Sequence, residues 1–107
     1  YGTVALGDYL KDRFKDSELI ELAFIYGSVA RNEEKEKSDI DLFILVEIEE
    51  SKLHEQLANI EKEIGREINY TLMTKKEFME RKARGDSFLQ RIISEEKLVL
   101  KGNLDVC

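Results

Sequence analysis

The spacing of apolar residues predicts four main helices along this chain. Leu6, Leu10 and Phe14 recur at helical spacing, which predicts a first helix over residues 4–15. A second stripe of leucine and isoleucine follows Ser51 and stops at Gly65, a residue type that commonly ends helices. Two shorter helices are expected: one opens with a capping box over residues 74–77, and the other is capped by Asp86 or Ser87.

Four apolar segments between these helices predict strands over residues 18–26, 41–46, 67–73 and 97–100. The second segment is apolar on both faces, which is typical of a central, covered strand. The last is expected at a sheet edge, where lysines discourage stray pairing. The alternation of helices and strands predicts one α/β (α+β) domain with a mixed sheet of about four strands. We expect this single domain to occupy residues 1–107.

A glycine–serine pair follows the first predicted strand. Gly27-Ser28 comes after an aromatic and branched segment, and residues 29–31 can start a helix. A helix start offers free backbone N–H groups and partial positive charge, both of which suit a phosphate. Glycine lets the backbone approach a phosphate closely, Ser28 can cap the helix, and Arg31 projects from the same side as Ser28. The turn is therefore a candidate phosphate site.

Two aspartates separated by one residue lead into the next predicted strand. In a strand, Asp39 and Asp41 point to one face, where their charges repel. A divalent cation offsets this repulsion, and Mg²⁺ prefers oxygen ligands that it shares with substrate phosphates. Each motif alone is usually a turn or a solvated loop edge. Joined at this spacing, with a strand before and after, the two motifs favour a functional site.

These motifs resemble the signature of the DNA polymerase β-like nucleotidyltransferase superfamily, and more closely its minimal nucleotidyltransferase branch. The resemblance rests on Gly-Ser-Val-Ala-Arg at residues 27–31 and Ser-Asp-Ile-Asp-Leu at residues 38–42. It implies helices mainly on one side of the sheet and a metal site at the open end. It also implies that Asp39 and Asp41 are catalytic and hold Mg²⁺ or Mn²⁺. The residues implied to bind the nucleotide are Gly27, Ser28, Arg31 and Ser38.

Active members of the superfamily carry a third carboxylate on a later strand, and the matching position here is Asn69. Asparagine can offer a metal a neutral carbonyl oxygen, so Asn69 is a third candidate ligand, but it supplies no charge and no base. Glu67 shares the predicted face but lies roughly 6–7 Å along the strand, which makes direct replacement doubtful. We therefore expect binding of metal and nucleotide with slow transfer or none, and we leave the enzyme assignment open.

Composition narrows the class of protein. The chain has 107 residues, a formal net charge of −6 and one cysteine. The acidic balance argues against broad, non-specific nucleic-acid binding. A single cysteine cannot form an internal disulfide and no apolar run could span a bilayer, so we expect a cytoplasmic protein without membrane contact. Abundant glutamate and lysine with few amides favour a thermophilic source, although the absence of proline does not.

The first residue is tyrosine, so we expect the chain to be a fragment of a longer one. Residues 67–71, 77–78 and 85–89 resemble the C-terminal half of archaeal proteins that join an N-terminal winged-helix domain to a nucleotidyltransferase-like domain. This second resemblance implies that the longer protein would contact DNA through the separate N-terminal domain. The residues upstream of Tyr1 would test that expectation.

Three functions stay open at this point. The first is magnesium-dependent transfer of a nucleoside monophosphate from a nucleoside triphosphate to a hydroxyl on protein or RNA. The second is a nucleotide-sensing regulatory domain with little catalysis, which rests on Asn69 and on the missing start methionine. The third is an antitoxin-like partner of a helical ribonuclease-like protein, on which no residue bears directly. The nucleotide, the acceptor and self-association are left undetermined.

Overall fold

Helices and strands alternate in the computed structural model, which describes residues 3–30, 39–48 and 51–103. No helix in these ranges is long and apolar enough to cross a membrane. The elements in chain order are α1 (Thr3–Phe14), β1 (Ile20–Tyr26), α2 (Gly27–Ala30), β2 (Ile40–Val46), α3 (Ser51–Ile64), β3 (Ile68–Thr74), α4 (Lys75–Ala83), α5 (Ser87–Ser94) and β4 (Leu98–Lys101).

The four strands form one sheet in the order β3-β2-β1-β4. β1 runs antiparallel to both of its neighbours, whereas β2 and β3 run parallel. A parallel pair needs a crossover connection, and α3 provides it. The sheet is therefore mixed and four-stranded, as predicted, and β4 lies at an edge.

Apolar side chains cover both faces of the sheet. On one face, alternate residues of β1 and β2 pack against the stripes of α1 and α3. On the other face, Phe24 and Phe43 stack with ring centroids 5.0 Å apart, and α4 and α5 add Phe78, Leu89 and Ile92. Contrary to the expectation of helices mainly on one side, both faces are covered. β1 and β2 are apolar at almost every position, and each face needs its own layer.

Side-chain caps fix where α4 and α5 begin. The backbone N–H of Glu77 donates to Thr74 Oγ1 at 3.2 Å, and the N–H of Leu89 donates to Asp86 Oδ1 at 3.1 Å. Asp86, rather than Ser87, is thus the cap of α5. Asp86 also pairs with Arg81, and these contacts hold the pKa of the Asp86 carboxyl below its ordinary value. Asp86 therefore fixes the start of the helix that packs beside β1.

Candidate functional site

The two predicted metal ligands flank the first residue of β2: Asp39 directly precedes the strand, and Asp41 is its second residue. Ile40, between them, is fully buried on the face covered by α1 and α3. Because side chains alternate along a strand, Asp39 and Asp41 point to the opposite face. Asp39 is exposed and Asp41 is half-buried. The sequence prediction that the two carboxylates share a face agrees with this placement.

The glycine turn lies directly against the second carboxylate. Tyr26, the last residue of β1, is opposite Asp41 in the antiparallel register, so Gly27 follows at once beside it. Gly27 has a φ of +74° and opens α2. A Cβ atom at Gly27 would lie 2.5 Å from Asp41 Oδ2. Both the backbone angle and the close approach require glycine at this position.

Three residues expected at the nucleotide are not placed by the structure. Ser28 belongs to α2, but its side chain lies outside the described residues. Arg31 and Ser38 lie outside them altogether. Their roles in binding a nucleotide remain predictions.

Asn69 stands beside both carboxylates. It is opposite Asp41 in the parallel register of β2 and β3, and its Nδ2 donates to Asp39 Oδ2 at 3.1 Å. The Asn69 side chain also lowers the pKa of the Asp41 carboxyl. Within residues 3–30, 39–48 and 51–103, no three His, Cys, Asp or Glu side chains are arranged to hold a metal ion. The described site therefore has two acids and one amide.

The charge of the site disfavours ionised Asp41. Burial raises the pKa of the Asp41 carboxyl above its ordinary value, and the negative charge of Asp39 raises it further. The positive charge of Arg91 and the hydrogen bond from Asn69 act in the opposite direction. A cation bound beside Asp41 would favour its ionised form and so offset this cost.

Sequence reasoning missed a second group of residues at this end of the sheet. Tyr26 is 7% exposed, and the Thr71 side chain acts to lower the pKa of its hydroxyl. Burial raises the pKa of Tyr26, and the charge of Asp41 adds to this effect, while Arg91 opposes it. Strand alternation from Asn69 could have pointed to Thr71, whereas Tyr26 is placed opposite Asp41 only by the register of β1 and β2. Arg91, on α5, has no local signal because it reaches the site only through the tertiary fold.

A comparison with protein families identifies the family of this chain. Residues 8–104 match the model of the polymerase β nucleotidyltransferase domain. The chain belongs to this family. No curated protein sequence matches it significantly.

Two solved structures have a similar fold. One is the toxin–antitoxin MntA–HpeT in a mutant with two aspartates changed to glutamate; it is 12% identical and has a TM-score of 0.63. The other is a toxin–antitoxin with AMP-PNP, which is 14% identical and has a TM-score of 0.62. Each similarity covers 94% of this chain and 76% of the other. At such identities the similarity shows the fold, and it does not bear on the expected winged-helix domain, which remains a prediction.

The donor set fits the divalent ion that this family uses. Asp39 and Asp41 present carboxylate oxygens on one face, where their mutual repulsion calls for a cation. A bound Mg²⁺ would neutralise phosphate charge beside them. Asn69 Nδ2 faces Asp39. Asn69 would therefore serve as an oxygen ligand only if its amide were rotated so that Oδ1 faced the ion. Asp39 and Asp41 are thus the two residues best suited to hold the ion.

Proposed function

We propose that this domain binds a nucleoside triphosphate together with Mg²⁺ at the end of the sheet formed by β1, β2 and β3. Asp39 and Asp41 hold the ion, and the turn that begins at Gly27 takes the phosphate tail. The observation that carries the proposal is the contact between that turn and Asp41, whose Oδ2 lies 2.5 Å from where a Cβ of Gly27 would be. A metal on Asp41 and a phosphate on the turn would therefore be neighbours, as nucleotidyl transfer requires.

We further propose slow transfer of the nucleoside monophosphate to a hydroxyl. The hydroxyl oxygen would attack the α-phosphorus and its proton would pass to solvent, while the bond from the α-phosphorus to the β-phosphate oxygen would break and pyrophosphate would leave. Asn69 occupies the position beside Asp41 where a carboxylate base would help remove the hydroxyl proton. An amide cannot accept that proton, so transfer should be slow even where binding is strong.

A partner protein is the acceptor that we favour over RNA. Both similar structures are described as toxin–antitoxin assemblies, and one was solved with a nucleotide analogue. These descriptions concern those proteins. For this chain, they support binding to a protein partner in the presence of a nucleotide as a second proposed function. The acidic net charge of −6 also argues against a broad RNA-binding surface.

Titration calorimetry with ATP, in the presence and absence of Mg²⁺, tests the binding proposal. The wild type should bind ATP more tightly with Mg²⁺, and Asp41→Asn should abolish that difference. Asp16→Asn, which changes an exposed aspartate after α1, is the matched control and should behave as wild type. Equal ATP affinity with and without Mg²⁺ in the wild type would refute the proposal.

A further inference from the structure

α5 brings a cation to the end of the sheet where Asp41 lies. Phe88 and Arg91 are three residues apart on α5, and Glu95, the C-cap residue, follows four residues after Arg91, so Arg91 can contact both. The Phe88 ring meets the Tyr26 ring edge-on, with centroids 6.2 Å apart. Tyr26 is in turn opposite Asp41 in the strand register. α5 is thus joined to the carboxylate site through two packed aromatic rings.

Two neighbours hold the Arg91 side chain in place. Its Cζ lies 5.5 Å from the centroid of the Phe88 ring, and its Nε lies 3.8 Å from Glu95 Oε1. The side chain of Arg91 is still 62% exposed, whereas that of Glu95 is 27% exposed. A guanidinium carries five N–H donors in one plane. The Phe88 ring covers one face of that plane, and Glu95 lies at the edge that carries Nε. The exposed remainder can bind an anion that enters from solvent.

The charges around Asp41 show why such a cation matters. The described charged groups that act on Asp41 are the carboxylates of Asp39 and Glu95 and the guanidinium of Arg91. Without a metal, these described groups carry a net negative charge, which disfavours a triphosphate. A metal ion supplies part of the missing positive charge. Arg91 supplies a fixed positive charge from the protein, with the geometry that suits phosphate oxygens.

We propose that Arg91 binds a phosphate group of the nucleoside triphosphate at the Asp39–Asp41 site, with Phe88 and Glu95 as the residues that position it. This inference rests on the proposed function and adds a residue that sequence motifs do not reveal. It requires that Arg91 contact the nucleotide itself. The competing role is that of a counter-ion that only offsets the charge of Asp41.

The two roles differ in their effect on metal binding. If Arg91 is only a counter-ion, its positive charge repels the metal ion. Its removal should then tighten binding of the metal ion alone, and the more tightly held metal should tighten binding of the nucleotide. If Arg91 instead binds a phosphate group, its removal should weaken nucleotide binding. Metal binding without nucleotide should then stay unchanged or tighten. The sign of the change in nucleotide affinity therefore separates the two roles.

The experiment compares the wild type with Arg91→Gln and Arg91→Lys by titration calorimetry. Arg84→Gln, at the exposed C-terminal cap of α4, is the matched control. The titrants are Mn²⁺ alone, ATP with Mg²⁺, and tripolyphosphate with Mg²⁺, which probes phosphate binding without the base. Thermal unfolding of each variant verifies that it is folded, and Arg91→Lys offers a second, charge-preserving change.

We expect Arg91→Gln to weaken ATP and tripolyphosphate binding about tenfold, equal to about 1.4 kcal/mol. Mn²⁺ binding alone should not weaken, and Arg91→Lys should retain an intermediate affinity because it keeps the charge but not the planar fork. An ATP affinity of Arg91→Gln equal to or tighter than wild type would overturn the inference while leaving the proposed function intact. Absence of Mg²⁺-dependent ATP binding in the wild type would overturn both.

Discussion

Gly27 and Asp41 are packed so closely that no side chain fits between them. A Cβ atom at Gly27 would lie 2.5 Å from Asp41 Oδ2, and Gly27 has a φ of +74°. The antiparallel register of β1 and β2 creates this contact, because it places Tyr26 opposite Asp41 just before the chain turns. The turn and the carboxylate therefore form one structural unit, and a change to either should disturb both.

Replacement of Gly27 by alanine should cost more than backbone strain alone. A side chain at positive φ costs about 1–2 kcal/mol, and at Gly27 the new methyl group also displaces Asp41. Gly65 is the matched control, since its φ is +68° but nothing lies within 4 Å of its Cβ position. We expect both alanine variants to lose stability in urea unfolding, and only Gly27→Ala to lose Mg²⁺-dependent ATP binding. Equal ATP binding by the two variants would show that the contact with Asp41 has no role in the site.

The local parts of this site could be predicted from the sequence. Asp39 and Asp41 share a face because strand alternation fixes the direction of each side chain. Asn69 was recognisable as the third position through the resemblance to the superfamily, whose active members carry a carboxylate on a later strand. In the structure Asn69 is opposite Asp41. The shared face of the two aspartates thus needed only strand periodicity, whereas the place of Asn69 needed the family resemblance.

The remaining parts depend on packing between distant segments. The spacing of apolar residues does not say which face of the sheet a helix will cover, so the covering of the second face by α4 and α5 was not foreseen. Arg91 lies 50 residues after Asp41 in the chain and reaches it only because Phe88 packs against Tyr26. Neither contact leaves a signal in the spacing of residues around the motifs.

Asn69→Asp should lower the stability of the metal-free protein and raise its affinity for Mg²⁺. The variant would place a third carboxylate beside Asp39 and Asp41, and it would remove the hydrogen bond that Asn69 Nδ2 donates to Asp39. We expect a lower free energy of unfolding without metal, recovery of stability with Mg²⁺, and faster transfer of labelled nucleotide to an acceptor. Asn59→Asp, on the exposed side of α3, is the control for added charge and should show none of these effects.

The transfer assay also tests whether the missing acid lies elsewhere. Rapid transfer by the wild type that is unaffected by Glu67→Gln would show that no third carboxylate is needed at this end of β3. Rapid transfer that Glu67→Gln abolishes would place the missing acid at Glu67, which is exposed just before β3. Either result would contradict the assignment of slow transfer to Asn69.

Asp86 should make the anchoring of α5 depend on pH. Its pKa is lowered in the folded state, chiefly by the N–H of Leu89 and by Arg81. The unfolded value is about 3.9, so the folded state binds the proton less readily. The stabilisation by the carboxylate is therefore fully present above that value and is lost as pH falls through the lower folded pKa.

The comparison is urea unfolding of wild type and Asp86→Asn between pH 7 and pH 3. Asparagine also caps helices, so the variant should remove the titrating charge while keeping a cap. We expect the wild type to be more stable at pH 7 and the difference to shrink as pH falls below about 4. A difference that stays constant over this range would show that Asp86 does not contribute through its charge.

A crystal structure with Mn²⁺ and a non-hydrolysable nucleoside triphosphate analogue tests the central claim most directly, because anomalous scattering locates the metal ion itself. The account predicts an anomalous peak between the carboxylates of Asp39 and Asp41, with the phosphate tail at the turn that begins at Gly27. An anomalous peak elsewhere, or a nucleotide bound away from Gly27 and Asp41, would contradict it.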